Sequence, residues 1–195
     1  MNLYHNSKKD DYPKIITSQK FKINKRFSYP KYVDYLIDCV NLHKASGFLP
    51  GNYPGSYVQA PFMGHGIYCF ISKKDAERYQ SNGKVLKLDV TDNIDYLDLD
   101  DEDVLFGISD MLKECKEKIE STIKDEELKR DYLLLVEIIT ACLYEEFENS
   151  QPAVGIILYW HNALLENAMP DLIKRTFSQS SYYLLTNKNK ILSIS

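Results

Sequence analysis

Two tyrosines eleven positions apart, Tyr68 and Tyr79, are the first residues whose type and spacing point to chemistry. Tyr68 lies in Gly64-His65-Gly66-Ile67-Tyr68-Cys69-Phe70, where two glycines flank one residue and open a short apolar run. Glycine lets a backbone turn sharply and lets a ligand come close. The run after it predicts a short buried strand. Lys73 to Gln80 predicts one or two helical turns, with Ser72 as the N-cap. A strand, a turn and a helix of this length can fold back and hold two rings across a slot. Such a slot suits a flat, weakly polar ring. The same spacing also fits two ordinary half-buried packing tyrosines.

A second stretch narrows the choice. The chain opens Leu3-Tyr4-His5-Asn6-Ser7, followed by Ile15-Ile16-Thr17-Ser18-Gln19-Lys20-Phe21-Lys22-Ile23. Together with residues 64–79, these residues resemble the ADP-ribosyltransferases of the diphtheria-toxin and poly(ADP-ribose) polymerase type. That family carries Leu-Tyr/Trp-His-Gly-Ser/Thr on an early strand. It later carries Gly-x-Gly-Ile-Tyr-Phe with a second tyrosine eleven residues on. The resemblance covers residues 1–23, 56–98 and, more weakly, 178–195. It implies NAD as co-substrate, bound in the cleft of a split mixed sheet.

The resemblance also assigns roles. It has His5 hydrogen-bond a ribose hydroxyl of NAD, and imidazole suits this because it is rigid and offers one donor and one acceptor. Tyr68 and Tyr79 sandwich the nicotinamide ring, with Gly66 in the same cofactor-binding set. The residue after the histidine holds the carboxamide through its backbone N–H and C=O. That residue is glycine in the family and Asn6 here, and asparagine tolerates unusual φ better than most residues. Ser7 matches the family's Ser/Thr.

The third catalytic member is where the match fails. The polymer-forming enzymes place a glutamate at the start of a late strand. Counting back from Ile191 puts Tyr182 at that position, with Ser181 and Gln179 beside it and no acid within the stretch. Tyr182 therefore joins His5 and Tyr68 as the candidate catalytic set, and chain elongation is not expected. Glu146-Phe147-Glu148 has the outline of an arginine-modifying Glu-x-Glu, but it closes an acidic helix where solvated carboxylates are ordinary. Glu166 is one more acid to place. The expected function is mono-ADP-ribosyl transfer to a macromolecular, chiefly protein, acceptor, as in small bacterial toxins and defence factors. The alternative is a silent NAD- or ADP-ribose-binding module, and a third reading is a binding protein with no nucleotide role.

The chain around these residues is 195 long, with a formal net charge of −4 and fifteen tyrosines. That length predicts one domain, residues 1–195, with a real core. No leader of basic then apolar residues opens it, and its apolar runs are too short to span a bilayer. Cys39, Cys69, Cys115 and Cys142 show no paired spacing and read as reduced core thiols of a cytoplasmic protein. No His/Cys cluster has zinc spacing, so no metal is expected. Residues 1–44 carry nine Lys/Arg against four Asp/Glu, whereas residues 89–148 carry twenty Asp/Glu against six Lys/Arg. The first balance attracts a dinucleotide phosphate. The second repels nucleic acid and suits a basic partner, or is simply a solvated helical face.

Strands are expected at 2–7, 84–90, 94–99, 153–160, 182–185 and 191–194, the last two joined by a turn at 186–190. Helices are expected at 11–20, 31–45, 100–118 and 126–147, with a short one at 163–175 broken by Pro170. Phe48 to Ala60 reads as a turn-rich loop, either a lid over the slot or plain packing. The class is α+β: a split mixed sheet of the ADP-ribosyltransferase type with an acidic helical insert at about 100–150.

Overall fold

The first strand, β1 (Asn2–Lys8), buries Leu3, Asn6 and Ser7 and leaves both its ends exposed in the computed structural model, which describes residues 1–23, 25–144, 151–177 and 180–195. The short α1 (Tyr12–Ser18) follows and stops at Gln19, whose φ of 52° is left-handed. Residues 31–45, expected as one helix, form two: α2 (Tyr29–Asp38) and α3 (Val40–Ser46), parted at Cys39. The start moves upstream because the Ser28 hydroxyl accepts from the Lys31 N–H, and Pro30 is tolerated in the first turn. Next come β2 (Ile67–Cys69) and α4 (Lys73–Tyr79), the latter capped by Ser72 accepting from the Asp75 N–H as expected. They lead to β3 (Gly83–Val90) and β4 (Tyr96–Asp98).

Two long helices, α5 (Glu102–Thr122) and α6 (Glu126–Tyr144), then occupy the acidic stretch. The expected strand at Ala153–Trp160 is wrong: these residues are the body of α7 (Gln151–Ala163). Ala153, Val154, Ile156, Ile157, Leu158 and Trp160 are all buried. A helix buried on every side leaves no period in the sequence, so a short apolar run does not separate it from a strand. The expected helix at Ala163–Arg175 is also wrong. Its residues are the end of α7, an irregular connection and β5 (Leu172–Phe177). Last come β6 (Ser180–Leu185) and β7 (Ile191–Ile194), with a 3-10 turn at Lys188–Lys190 between them.

The fold is α+β, with two sheets among the described residues. One is antiparallel with the order β1-β3-β7. The other is mixed with the order β2-β6-β5-β4, in which only β4 and β5 run parallel. A single isolated bridge, Tyr4 to Phe70, links β1 to β2. β6 and β7 are consecutive in the chain yet belong to different sheets.

The chain divides into two compact units. Met1–Asn24, His65–Glu102 and Pro170–Ser195 form a β-rich unit. Its core holds Leu3, Leu86 and Leu88 from one sheet and Ile67, Tyr183 and Leu185 from the other, closed by Phe21. Lys25–Gly64 and Asp103–Met169 form a helical unit, in which α6 packs on α2, α3 and α7. Leu36, Leu135, Ile139 and Ile156 are fully buried there. The turn-rich loop at 48–60 belongs to this helical unit, where the Tyr32 hydroxyl donates to the Pro50 carbonyl and Tyr53 packs on Phe27.

Candidate functional site

The Tyr4–Phe70 bridge is the hinge of the site. Tyr4 N–H donates to the Phe70 carbonyl at 2.7 Å, and Phe70 N–H donates back to Tyr4 at 2.8 Å. Backbone groups in an antiparallel pair alternate in direction, so those of Tyr4 point away from β3. Lys87, opposite Tyr4 on β3, agrees: it exchanges two hydrogen bonds with Ser195 on its other side, at 2.7 and 2.9 Å. Asn6 is two residues on from Tyr4, so its N–H and C=O point the same way, towards β2. No second bridge joins β1 to β2 among the described residues, so the amide and carbonyl of Asn6 face the opening between the strands.

His5 spans the same opening. Its Nδ1 lies 2.8 Å from the Tyr68 carbonyl oxygen. A carbonyl only accepts, so Nδ1 carries the proton and the neutral ring keeps its Nε2 lone pair as an acceptor. Burial lowers the His5 pKa below its usual 6.5, against a smaller opposite pull from the Tyr68 carbonyl. Phe21 sets its edge against the imidazole at 5.1 Å and fixes the ring's tilt. The site thus offers one donor and one acceptor for an amide at Asn6, and one acceptor for a hydroxyl at His5.

Aromatic rings from three elements form a wall beside it. Tyr68 on β2 and Phe70, the bridge residue that follows the strand, are two apart in extended backbone and so share one face. Tyr79, at the end of α4, packs on Phe70 at 5.4 Å and on Tyr182 at 6.2 Å. Tyr182 packs in turn on Phe70 at 5.2 Å and on Phe177 at 6.0 Å. Tyr79 stays 49% exposed, which leaves one side of its ring open to a ligand. Burial and the neighbouring Tyr182 raise the pKa of its hydroxyl. The two separated motifs and the late strand therefore meet in one place.

Three further expected residues have local roles. A Cβ on Gly66 would lie 2.6 Å from Leu184 Cδ1 and 2.7 Å from the Leu185 carbonyl, so glycine here admits β6. Ser7 is buried, and its hydroxyl donates to the Lys8 carbonyl at 3.3 Å. The Asn6 side chain ties α4 down: its Nδ2 donates to the Ala76 carbonyl at 2.6 Å and to the Gln80 carbonyl at 3.0 Å. Its Oδ1 rests over Gly83, where an added Cβ would come within 1.6 Å. No positive φ is needed at Asn6. A polar cavity of about 330 Å³ lies beyond, with Tyr12, Glu77 and Lys84 in its wall, and shares Asn6 alone with the expected site residues.

Acid does stand close to the late strand, though not on it. Asp100 accepts from the Thr176 N–H at 2.8 Å and from the Thr176 hydroxyl at 2.7 Å. The Thr176 hydroxyl is 2.9 Å from that of Ser181. Burial alone would raise the Asp100 pKa; the bonds from Thr176 and Lys174 outweigh it and hold the carboxyl below its usual range. Lys174 bridges Asp100 at 3.2 Å and Asp98 at 2.8 Å. This chain of groups was missed from the sequence; the alternation Asp98-Leu99-Asp100 was its only local sign. Glu166 lies in the helical unit with a left-handed φ of 59°. Gln179 and Glu146-Phe147-Glu148 lie outside the described residues.

Among the described residues, no group of three His, Cys, Asp or Glu is placed to hold a metal ion, and no helix is long and apolar enough to cross a membrane. No protein family, curated protein or solved structure matches the chain.

Proposed function

We propose that the chain is an NAD-dependent mono-ADP-ribosyltransferase of the split-sheet type, acting on a protein acceptor. The observation that carries this reading is the pairing at the β1–β2 opening. The Asn6 backbone presents a donor and an acceptor that match a carboxamide, and the adjacent His5 keeps an acceptor for a ribose hydroxyl. The aromatic cluster of Phe70, Tyr79 and Tyr182, with Tyr68 two residues before Phe70, supports it, because such a surface suits a nicotinamide ring.

In this reading the bond between ribose C1′ and the nicotinamide nitrogen breaks, and its electron pair leaves with nicotinamide. An acceptor nucleophile closes a bond to C1′ and gives up a proton to solvent. The protein's part is to clamp the leaving group and orient the ribose, both of which act on the oxocarbenium-like state. No carboxylate stands at Tyr182 to activate the acceptor, so transfer is slow and stops at one unit. A silent NAD-binding module is the second reading, favoured by the aromatic packing around Tyr182 on three sides.

Calorimetry with NAD tests the first step. His5→Ala and Tyr68→Ala should each weaken binding, with the fold retained by circular dichroism. No binding by the parent, or unchanged affinity in both variants, rejects the proposal. Nicotinamide release and single-unit labelling of lysate proteins then separate the enzyme from the silent module. Ladders of polymer would contradict mono-transfer.

A further inference from the structure

The helical unit contains a cavity of about 220 Å³ that the proposed NAD site does not use. Its wall includes Asp34 from α2, Ile119 and Ile123 from the α5 end, Tyr132 from α6, and Tyr159 and Trp160 from α7. None of its lining residues is a lysine or arginine. Among the described residues Asp34 makes no ion pair, and its carboxylate takes no hydrogen bond. Its charge nevertheless reaches the cavity wall: burial first, and then Asp34, raises the pKa of both Tyr132 and Tyr159. One aromatic wall is held rigid, because Tyr159 stacks on Tyr29 at 5.9 Å with 14° between planes. The Tyr29 hydroxyl is itself anchored on the Pro61 carbonyl at 3.0 Å.

A cation over the face of tyrosine or tryptophan is attracted by the ring quadrupole, and a neighbouring carboxylate adds direct charge attraction. We propose that this cavity is a binding site for an organic cation, an alkylammonium or guanidinium group. Asp34 is its counter-charge, and Tyr132, Tyr159 and Trp160 are its aromatic wall. The uncompensated carboxylate marks the end that receives the charge, and Ile119 and Ile123 receive the alkyl part. The helices around it are acidic, which concentrates cations at the entrance.

Trp160 is the only tryptophan in the chain, so its emission reports on this cavity directly. The full-length protein is titrated with choline and with Nα-acetyl-lysine methylamide at constant ionic strength. The uncharged isostere of choline, 3,3-dimethyl-1-butanol, is the control. The expected result is a saturable change with a cation, weakened on the order of tenfold in Asp34→Asn. Asp34 is exposed, so the substitution leaves the fold intact, which circular dichroism checks. Tighter choline binding makes the ligand a free small cation, and tighter lysine-amide binding makes it a partner's side chain. The proposal is overturned if the uncharged isostere binds as well as choline, if Asp34→Asn binds as well as the parent, or if neither cation gives a saturable change.

Discussion

His5 does its proposed work as a neutral ring, and that has a consequence for stability. Burial places its folded pKa below 6.5, so the unfolded chain takes up the proton first as pH falls. Where the unfolded state binds more protons, stability drops with falling pH. The His5 contribution is therefore intact above about pH 6.5 and declines below it, until the folded ring also protonates. Urea unfolding at pH 7 and pH 5.5 should show a larger loss for the parent than for His5→Gln; equal losses would mean that His5 is not held neutral. Tyr182 carries the second residue-scale prediction. It stands where the resemblance puts an acid, and a well-placed general base contributes about 10²–10⁴ in rate. Tyr182→Glu should raise nicotinamide release at equal NAD occupancy. A variant that binds NAD and releases no more than the parent removes position 182 from the reaction.

At the scale of elements, the Asn6 side chain is the fastening between β1 and α4, and so between the strand of His5 and the helix of Tyr79. Asn6→Ala strips Ala76 and Gln80 of a buried donor, which costs about 1–3 kcal/mol. Gly83→Ala should cost at least as much, since its Cβ would collide with Asn6 Oδ1. Hydrogen exchange should show α4 opening more often in both variants, with NAD affinity falling alongside. Unchanged α4 protection would show that the helix is held by other contacts. How far these elements were legible depended on their surroundings. β3 alternates buried and open residues, so its period of two appears in the sequence, and α4 is marked by its Ser72 cap. Residues 152–158 of α7 are buried throughout, and that run of apolar residues read as a strand. Candidate residues were legible where a motif named their types, as with His5, Tyr68, Tyr79 and Tyr182, of which the structure sets His5 on Tyr68 and Tyr79 on Tyr182. The role of the Asn6 side chain was not, because its acceptors lie 70 and 74 residues away. Nor was the Asp100–Thr176 pair, which is 76 residues apart.

Across the whole molecule, none of the four cysteines forms a disulfide, and only Cys39 is even partly open; Cys69, Cys115 and Cys142 are buried. Burial also raises the Cys69 pKa far from neutrality and that of Cys115 to about 11, which keeps both thiols protonated and unreactive. Ellman's reagent should thus label one thiol in the native protein, removed by Cys39→Ser, and four in denaturant. Rapid native labelling of a second thiol would contradict the burial of the core. The strand order has its own consequence for how the protein is made. β1 can pair β3 early, yet β7 completes that sheet and β6 joins β2 to the other, so neither sheet is complete before residues 180–194. Residues 25–64 and 103–169 carry the helical unit's core and are complete sooner. We therefore expect arrested nascent chains ending at Met169 to yield a protease-resistant helical fragment while β1 and β2 are still cut. Protection of β1 in those chains would refute this order. Any NAD-consuming chemistry at the β1–β2 opening would then stay silent in the nascent chain until residues 180–194 have left the exit tunnel.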